Sequence, residues 1–141
     1  MSDEVTPHQI GEQMMRNGRF SQSMGMKLES IGYGECVVTM AITEAHLNGF
    51  GVIHGGVTYS LADTALACAA NSHNNLSMAV EVSMSYPASA TVGDLLSATA
   101  EEISKTNKLA VYNILIVNQE KKVVGIFKGT VFRTGKEFPL Q

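Results

Sequence analysis

Polar and apolar residues alternate along five stretches of this chain, and between the first and second of these lies a segment that does not alternate. Residues 33–43, YGECVVTMAIT, turn Cys36, Val38, Met40 and Ile42 one way and Glu35 and Thr39 the other. That period of two is the mark of a half-buried strand. SMAVEVSMSY (77–86) sets Met78, Val80, Val82 and Met84 on one face, and DLLSATAEEIS (94–104), KLAVYNILIVN (108–118) and KVVGIFKGTVFR (122–133) complete the set. SKTN (104–107) reads as a loop before the third of these, and the tail TGKEFPLQ (134–141) reads as irregular. The exceptional segment, VTYSLADTALACAANS (57–72), is rich in Ala and Leu, contains no proline, and is apolar or small almost all round. A helix of that kind is buried on every side. Before the first strand, Thr6, Pro7 and Gln9 form a capping-box start for a short helix over about 6–18, with Ile10, Met14 and Met15 as a partial apolar stripe and Gly18 as a stop. Phe20 to Met26 then lead into the sheet.

The order is therefore helix, strand, buried helix, then four consecutive strands. Consecutive alternating strands favour an antiparallel meander. One long apolar helix and one curved sheet bury each other, which predicts an α+β layer pair. The 141 residues fit one domain, 1–141, with no repeat, linker or low-complexity stretch.

Composition narrows the function. Hydrophobic residues make up 45% of the chain and charged residues only 16%. A low charged fraction suits a surface partly covered by other subunits. The net charge of −3 and the lack of basic clusters argue against nucleic acid as a partner. A small phosphorylated molecule needs only a few basic residues and stays open. Cys36 and Cys68 are not in a CxxC pair and have no flanking basic residue, so they read as small buried apolar groups in a reducing compartment. MSDEVTPHQI is acidic and has no apolar centre, and no run approaches the length of a membrane span. A cytoplasmic protein is expected. His8, His46, His54 and His73 have no metal-site spacing, so no metal is expected. There is no GxSxG, P-loop or dinucleotide fingerprint.

The segment with chemistry in it is TEAHLNGFGVIHGG (43–56), followed by Asp63 inside the apolar helix. A carboxylate among Leu61, Ala62, Ala65, Leu66 and Ala67 loses hydration unless it is paired or faces a cavity. It could bond a neighbouring hydroxyl such as Thr64, pair across a subunit interface, or act on a substrate. His54-Gly55-Gly56 falls where the helix begins. The first helix amides lack backbone partners and carry partial positive charge. Without side chains at Gly55 and Gly56, a carbonyl oxygen can come close to them. The same residues could simply be a flexible start to the helix, with His54 bonded to backbone and Asn48 closing a turn.

Asn48-x-x-Gly51-x-x-His54-Gly55-Gly56, with Asp63 eight residues after Gly55, resembles the phenylacetyl-CoA thioesterase-like (PaaI-type) branch of the hot-dog-fold thioesterases. LADTALACAANS is similar to that family's central helix, and VEVSMSYPASATVGD to the strand and turn after it; the resemblance covers roughly residues 20–134. It implies a hot-dog fold, in which the sheet wraps one central helix, and hydrolysis of an acyl-coenzyme A thioester. Asp63 would be base or nucleophile, the Gly55 amide would polarise the carbonyl, Asn48 would place the water or the carboxylate, and His54 would shape the oxyanion site. Coenzyme A, as part of the substrate and not as a separate cofactor, would lie along Gly56, Glu81, Val82, Ser83, Tyr86 and Pro87 and along Thr106, Asn107 and Lys108, with Lys108 or Arg133 at its phosphates. The family's site lies between two subunits, which implies a homo-oligomer, at least a dimer and by expectation a dimer of dimers. One departure stands out: the Ser or Thr that some relatives carry two residues before this strand's acidic residue is Ala79 here. A dehydratase or hydratase on the same fold, using His54 with Asp63, and a non-catalytic acyl-CoA-binding protein are the alternatives.

Overall fold

The computed structural model describes residues 4–141. Its elements are α1 (Pro7–Asn17), α2 (Arg19–Ser23), β1 (Lys27–Gly32), β2 (Glu35–Ala41), α3 (Gly55–Asn71), β3 (Ser77–Ser85), β4 (Leu95–Lys105), β5 (Leu109–Val117) and β6 (Val123–Arg133). The strands form one six-stranded antiparallel sheet in the order β1-β2-β4-β5-β6-β3. The sheet packs over α3, which is the α+β arrangement of a central helix in a sheet wrap.

The capping box at Thr6 forms as the sequence requires. The Gln9 amide N–H donates to the Thr6 hydroxyl at 3.2 Å, and the Thr6 N–H donates to the Gln9 side chain at 2.9 Å. Two elements went unread in the sequence. The lead-in after Gly18 contains the short helix α2, and Lys27–Gly32 is a strand. In β1 a register shift between Leu28 and Ser30 breaks the period of two, so no alternation marks it.

The expected meander of four strands is corrected to three. Strands β4, β5 and β6 do follow one another, but β3 pairs with β6 at the far edge instead of with β4. Alternation says which face is buried, not which strand is the neighbour. Connection length carries that information: hairpin loops run to roughly 2–5 residues, and residues 86–94 are too many for one. The single apolar face expected in β3 is also corrected. The β3–β6 register shifts between Ala79 and Glu81, leaving Val80 as an extra residue. Val82 and Met84 pack on the core, whereas Met78 and Val80 are 51% and 60% exposed on the edge strand.

The core lies between α3 and the inner sheet face. Leu61, Ala62, Ala65, Leu66 and Ala69 of α3 are fully buried, against Val38, Ala98, Tyr112, Ile114 and Phe127 among others. Small residues on helix and sheet let the two layers approach. At Gly129 a β-carbon would lie 2.6 Å from a Leu66 methyl, so a larger residue would force that core side chain to shift. Cys36 and Cys68 are buried within this core as expected. Burial pushes the Cys36 thiol far above its usual range and the Cys68 thiol up to about 12, so neither is a nucleophile at neutral pH. Among the described residues no helix is long and apolar enough to cross a membrane.

Candidate active site

Residues 43–54 form an ordered loop that delivers the chain to the start of α3. Asn48 closes its tip: its side-chain oxygen accepts from the Phe50 and Val52 amides at 2.9 and 3.3 Å, while its own N–H donates to the Val52 carbonyl at 2.7 Å. An Asx turn of this kind is a common use of Asn. A bridge between Leu47 and Ile53 and a bond from the His54 N–H to the His46 carbonyl at 2.9 Å fix the base of the loop. Asn48 thus holds the turn with its oxygen, and its side-chain NH₂ makes no bond to any described residue.

His54 caps α3. Its Nδ1 accepts from the Gly56 N–H at 2.8 Å, so the neutral ring carries its proton on Nε2. The two glycine amides are therefore not equivalent. That of Gly56 is taken by the cap, whereas that of Gly55 bonds no described residue and lies at the positive end of α3. Tyr86 leans over the same point, its hydroxyl donating to the Gly55 carbonyl at 3.0 Å. A cavity of about 320 Å³ lies here, lined by Gly55, Thr58, Tyr86, Pro87 and neighbours.

Asp63 is half-buried two turns further along α3 and makes no hydrogen bond or ion pair with any described residue. Thr64 does not serve it: that hydroxyl donates to the Ser60 carbonyl at 2.9 Å. Burial raises the Asp63 pKa above the ordinary 3.8. Asp63 helps to line a second cavity of about 330 Å³, together with Met14, Leu66, Met78, Val131 and Phe138.

The remaining predicted contacts fall at the two ends of β3. Tyr86 and Pro87 follow its last residue and sit by Gly55. At its first residue, Ser77 pairs with Arg133. There the Arg133 side chain donates to the Thr106 carbonyl at 2.7 Å and its N–H to the Lys108 carbonyl at 2.7 Å. Thr106, Asn107 and Lys108 form the exposed turn between β4 and β5. The ends are about 26 Å apart at 3.3 Å per residue, so one chain does not bring the two groups together. Glu81 and Ser83 lie exposed on β3 between them, and Val82 turns inward to the core. Met14 and Phe138 were not anticipated in sequence. The one available signal was a short apolar run, Phe138-Pro139-Leu140, in the tail.

A long apolar helix held in a curved antiparallel sheet is the hot-dog fold. Comparison with known proteins places the chain within it. The profile of the Thioesterase superfamily matches residues 50–124. The acyl-coenzyme A thioesterase PaaI of Escherichia coli (strain K12) is 38% identical over 122 residues, 86% of this chain and 87% of that protein. The solved structure of the E. coli PaaI protein from the phenylacetic acid degradation operon superposes with a TM-score of 0.89 at 34% identity, over 94% of this chain and 99% of that one. A thioesterase protein from Streptococcus pneumoniae TIGR4, solved with coenzyme A, matches with a TM-score of 0.82 at 25% identity, over 88% and 99% of the two chains. The chain belongs to the Thioesterase superfamily, and it is a thioester hydrolase.

Proposed function

We propose that the chain hydrolyses acyl-coenzyme A in a site built from two subunits, with Asp63 as the catalytic carboxylate. The observation that carries this reading is the Asp63 carboxylate itself. It is half-buried, has no partner among the described residues, and belongs to a residue that lines a cavity. A structural carboxylate is held by hydrogen bonds; this one bears the cost of burial with none. A non-catalytic binding protein has no use for such a group.

The thioester oxygen would accept from the Gly55 N–H, where the helix dipole favours the charge that develops on it. Asp63 would attack the carbonyl carbon or take a proton from the water that does. The C–S bond breaks, a C–O bond forms, and coenzyme A leaves as the thiol. The free NH₂ of Asn48 is available to orient the water or the carboxylate. His54, through its bond to Gly56, holds the helix start so that the Gly55 amide points outward. That same bond occupies the ring's unprotonated nitrogen, leaving His54 no free base for the proton abstraction a hydratase or dehydratase needs. No cofactor is required beyond the coenzyme A of the substrate.

Distance supports a site shared by two chains. Gly55 and Asp63 are eight residues apart on one helix, about 12 Å at 1.5 Å per residue. They cannot both reach one carbonyl. Strand β3 offers the remedy: its outer edge is unpaired, and its two ends serve the two cavities. Antiparallel pairing of β3 with its copy about a two-fold axis brings the Asp63 end of one chain to the Gly55 end of the other. It also brings the Tyr86 turn of one chain near the Lys108 and Arg133 turn of the other, as one coenzyme requires. Leu95, Leu115 and Ile126, all half-exposed on the outer sheet face, suit a second interface and hence a dimer of dimers.

The test is complementation with an acyl-CoA assay for free thiol. Asp63→Asn and Gly55→Ala should each be nearly inactive alone. Unfolded and refolded together, they should recover about a quarter of wild-type turnover, the share of intact sites that random pairing gives. No recovery from folded mixed dimers would place the whole site within one chain.

A further inference from the structure

The C-terminal tail, irregular in sequence, is fastened down residue by residue. The side chain of Gln13, 5% exposed, donates to the Pro139 carbonyl at 3.0 Å and accepts from the Gln141 N–H at 2.6 Å. The Phe138 N–H donates to the Asn74 side chain at 3.0 Å, and the Gly135 N–H to that of Asn75 at 3.0 Å. The Leu76 N–H donates to the Lys136 carbonyl at 2.7 Å, and the Thr134 N–H to the Leu76 carbonyl at 3.0 Å. These bonds tie the tail to α1 on one side and to the α3–β3 turn on the other. Their joint effect is to hold the Phe138 ring against the cavity that Asp63 helps to line, with Met14 of α1 beside it.

The polar groups of that cavity are almost all engaged. Asn71 donates to the Ala67 and Ser77 carbonyls at 2.9 and 3.1 Å and accepts from the Ser77 N–H at 2.9 Å, and the Ser77 hydroxyl donates to the Asn75 carbonyl at 2.8 Å. Only Asp63 remains. At about 330 Å³ the space is at the small end of ligand pockets, which run from roughly 300 to 1,000 Å³. It takes one compact apolar body and has nothing to offer a polar substituent.

From this we infer that the tail is the specificity wall of the enzyme: Phe138, held by the Gln13 clamp, ends the acyl pocket and limits it to compact acyl groups without polar substituents. This rests on Asp63 being the catalytic carboxylate, since the cavity is assigned to the acyl group through that residue in its lining. In the wild type, kcat/KM across straight-chain acyl-CoAs from butanoyl to dodecanoyl should peak at or below the middle of the series. A ring hydroxyl on an arylacyl-CoA should lower it.

Phe138→Ala should raise the dodecanoyl-to-hexanoyl ratio of kcat/KM by about tenfold or more, the scale on which a few methylenes are discriminated in an apolar pocket. Phe138→Trp should move the ratio the other way, and melting curves should show both variants folded. The same chain-length dependence is to be read without turnover, as Kd for each acyl-CoA in Asp63→Asn and in Asp63→Asn with Phe138→Ala. A shift in Kd with no hydrolysis by the wild type would keep the wall and overturn the catalytic reading. Hydrolysis by the wild type with both ratios unmoved by either Phe138 variant would overturn the wall.

Discussion

Asp63 and Glu102 are both partly buried carboxylates, and the molecule treats them oppositely. Glu102, on β4, accepts from the Tyr112 hydroxyl at 2.9 Å and bonds the His73 ring at 2.7 Å, with Tyr33 stacked on His73. Burial alone would raise its pKa, but the bonds from His73 and Tyr112 outweigh that and hold it below the ordinary 4.5. Asp63 has burial and no such bonds, and its pKa rises above 3.8. The shifts run opposite ways because Asp63 is the more deeply buried and only Glu102 has donors. A carboxylate kept for structure is satisfied; one left unpaired among the described residues, as Asp63 is, is what the proposed chemistry calls for.

The largest effect that would break this contrast is at Asp63. Asp63→Asn should lower kcat by about 10²–10⁴-fold, the range of a lost general base, in a protein that stays folded. Its stability should change the other way. A carboxyl whose pKa is raised on folding favours the native state while protonated and loses that advantage as pH rises past its folded value. Asn should therefore melt higher than wild type at pH 7, with the gain vanishing below pH 3.8. A variant that melts lower at pH 7 would show that Asp63 has a partner after all.

Next in size is the pair of glycines. A β-carbon at Gly55 would stand 3.4 Å from the Tyr86 oxygen, an accommodable contact, but in the path of a carbonyl. Gly55→Ala should lower kcat by up to about 10³-fold, the most that one lost oxyanion donor costs, with little loss of stability. At Gly56 the β-carbon would meet the His54 ring at 3.0 Å. Gly56→Ala should loosen the cap and lower the melting temperature more than Gly55→Ala does. Equal melting temperatures with equal turnover would make the two amides interchangeable.

Glu102→Gln should show the reverse of Asp63→Asn. Breaking bonds to Tyr112 and His73 should cost about 1–3 kcal/mol of stability, with turnover of the folded fraction unchanged. A carboxyl whose pKa is depressed stabilises the fold above its unfolded value of 4.5 and loses that stabilisation as pH falls. The deficit of Glu102→Gln should therefore shrink on acidification, measured as melting temperature against pH. A turnover defect at neutral pH would give Glu102 a role in the chemistry.

The smallest effect is expected at the β4–β5 turn proposed to meet the coenzyme. Lys108 is exposed and in no ion pair among the described residues, so Lys108→Ala should cost about 1 kcal/mol of substrate binding, weakening with salt. That appears as a several-fold rise in KM for an acyl-CoA, with kcat unchanged, and as no change for the matching acyl-pantetheine. Arg133 is a poorer probe than the sequence suggested, because its guanidinium also supports the Thr106 turn.

Much of this molecule was determined by sequence alone. The capping box set α1, alternation set β2, β4, β5 and β6, and the all-round apolar run set α3 and marked Asp63 as an anomaly within it. These signals are local: each depends on residues within one or two turns or pleats of each other. Strand β1 was hidden by its register shift, and the face of β3 by the extra Val80. What tertiary structure alone decided is neighbourhood. It set β3 beside β6 and brought Phe138 from the far end of the chain to the cavity at Asp63. No local pattern encodes such placements, because the contacts that fix them join residues far apart in sequence, and polar tail residues such as Gln141 acquire partners only once α1 and the α3–β3 turn are folded around them.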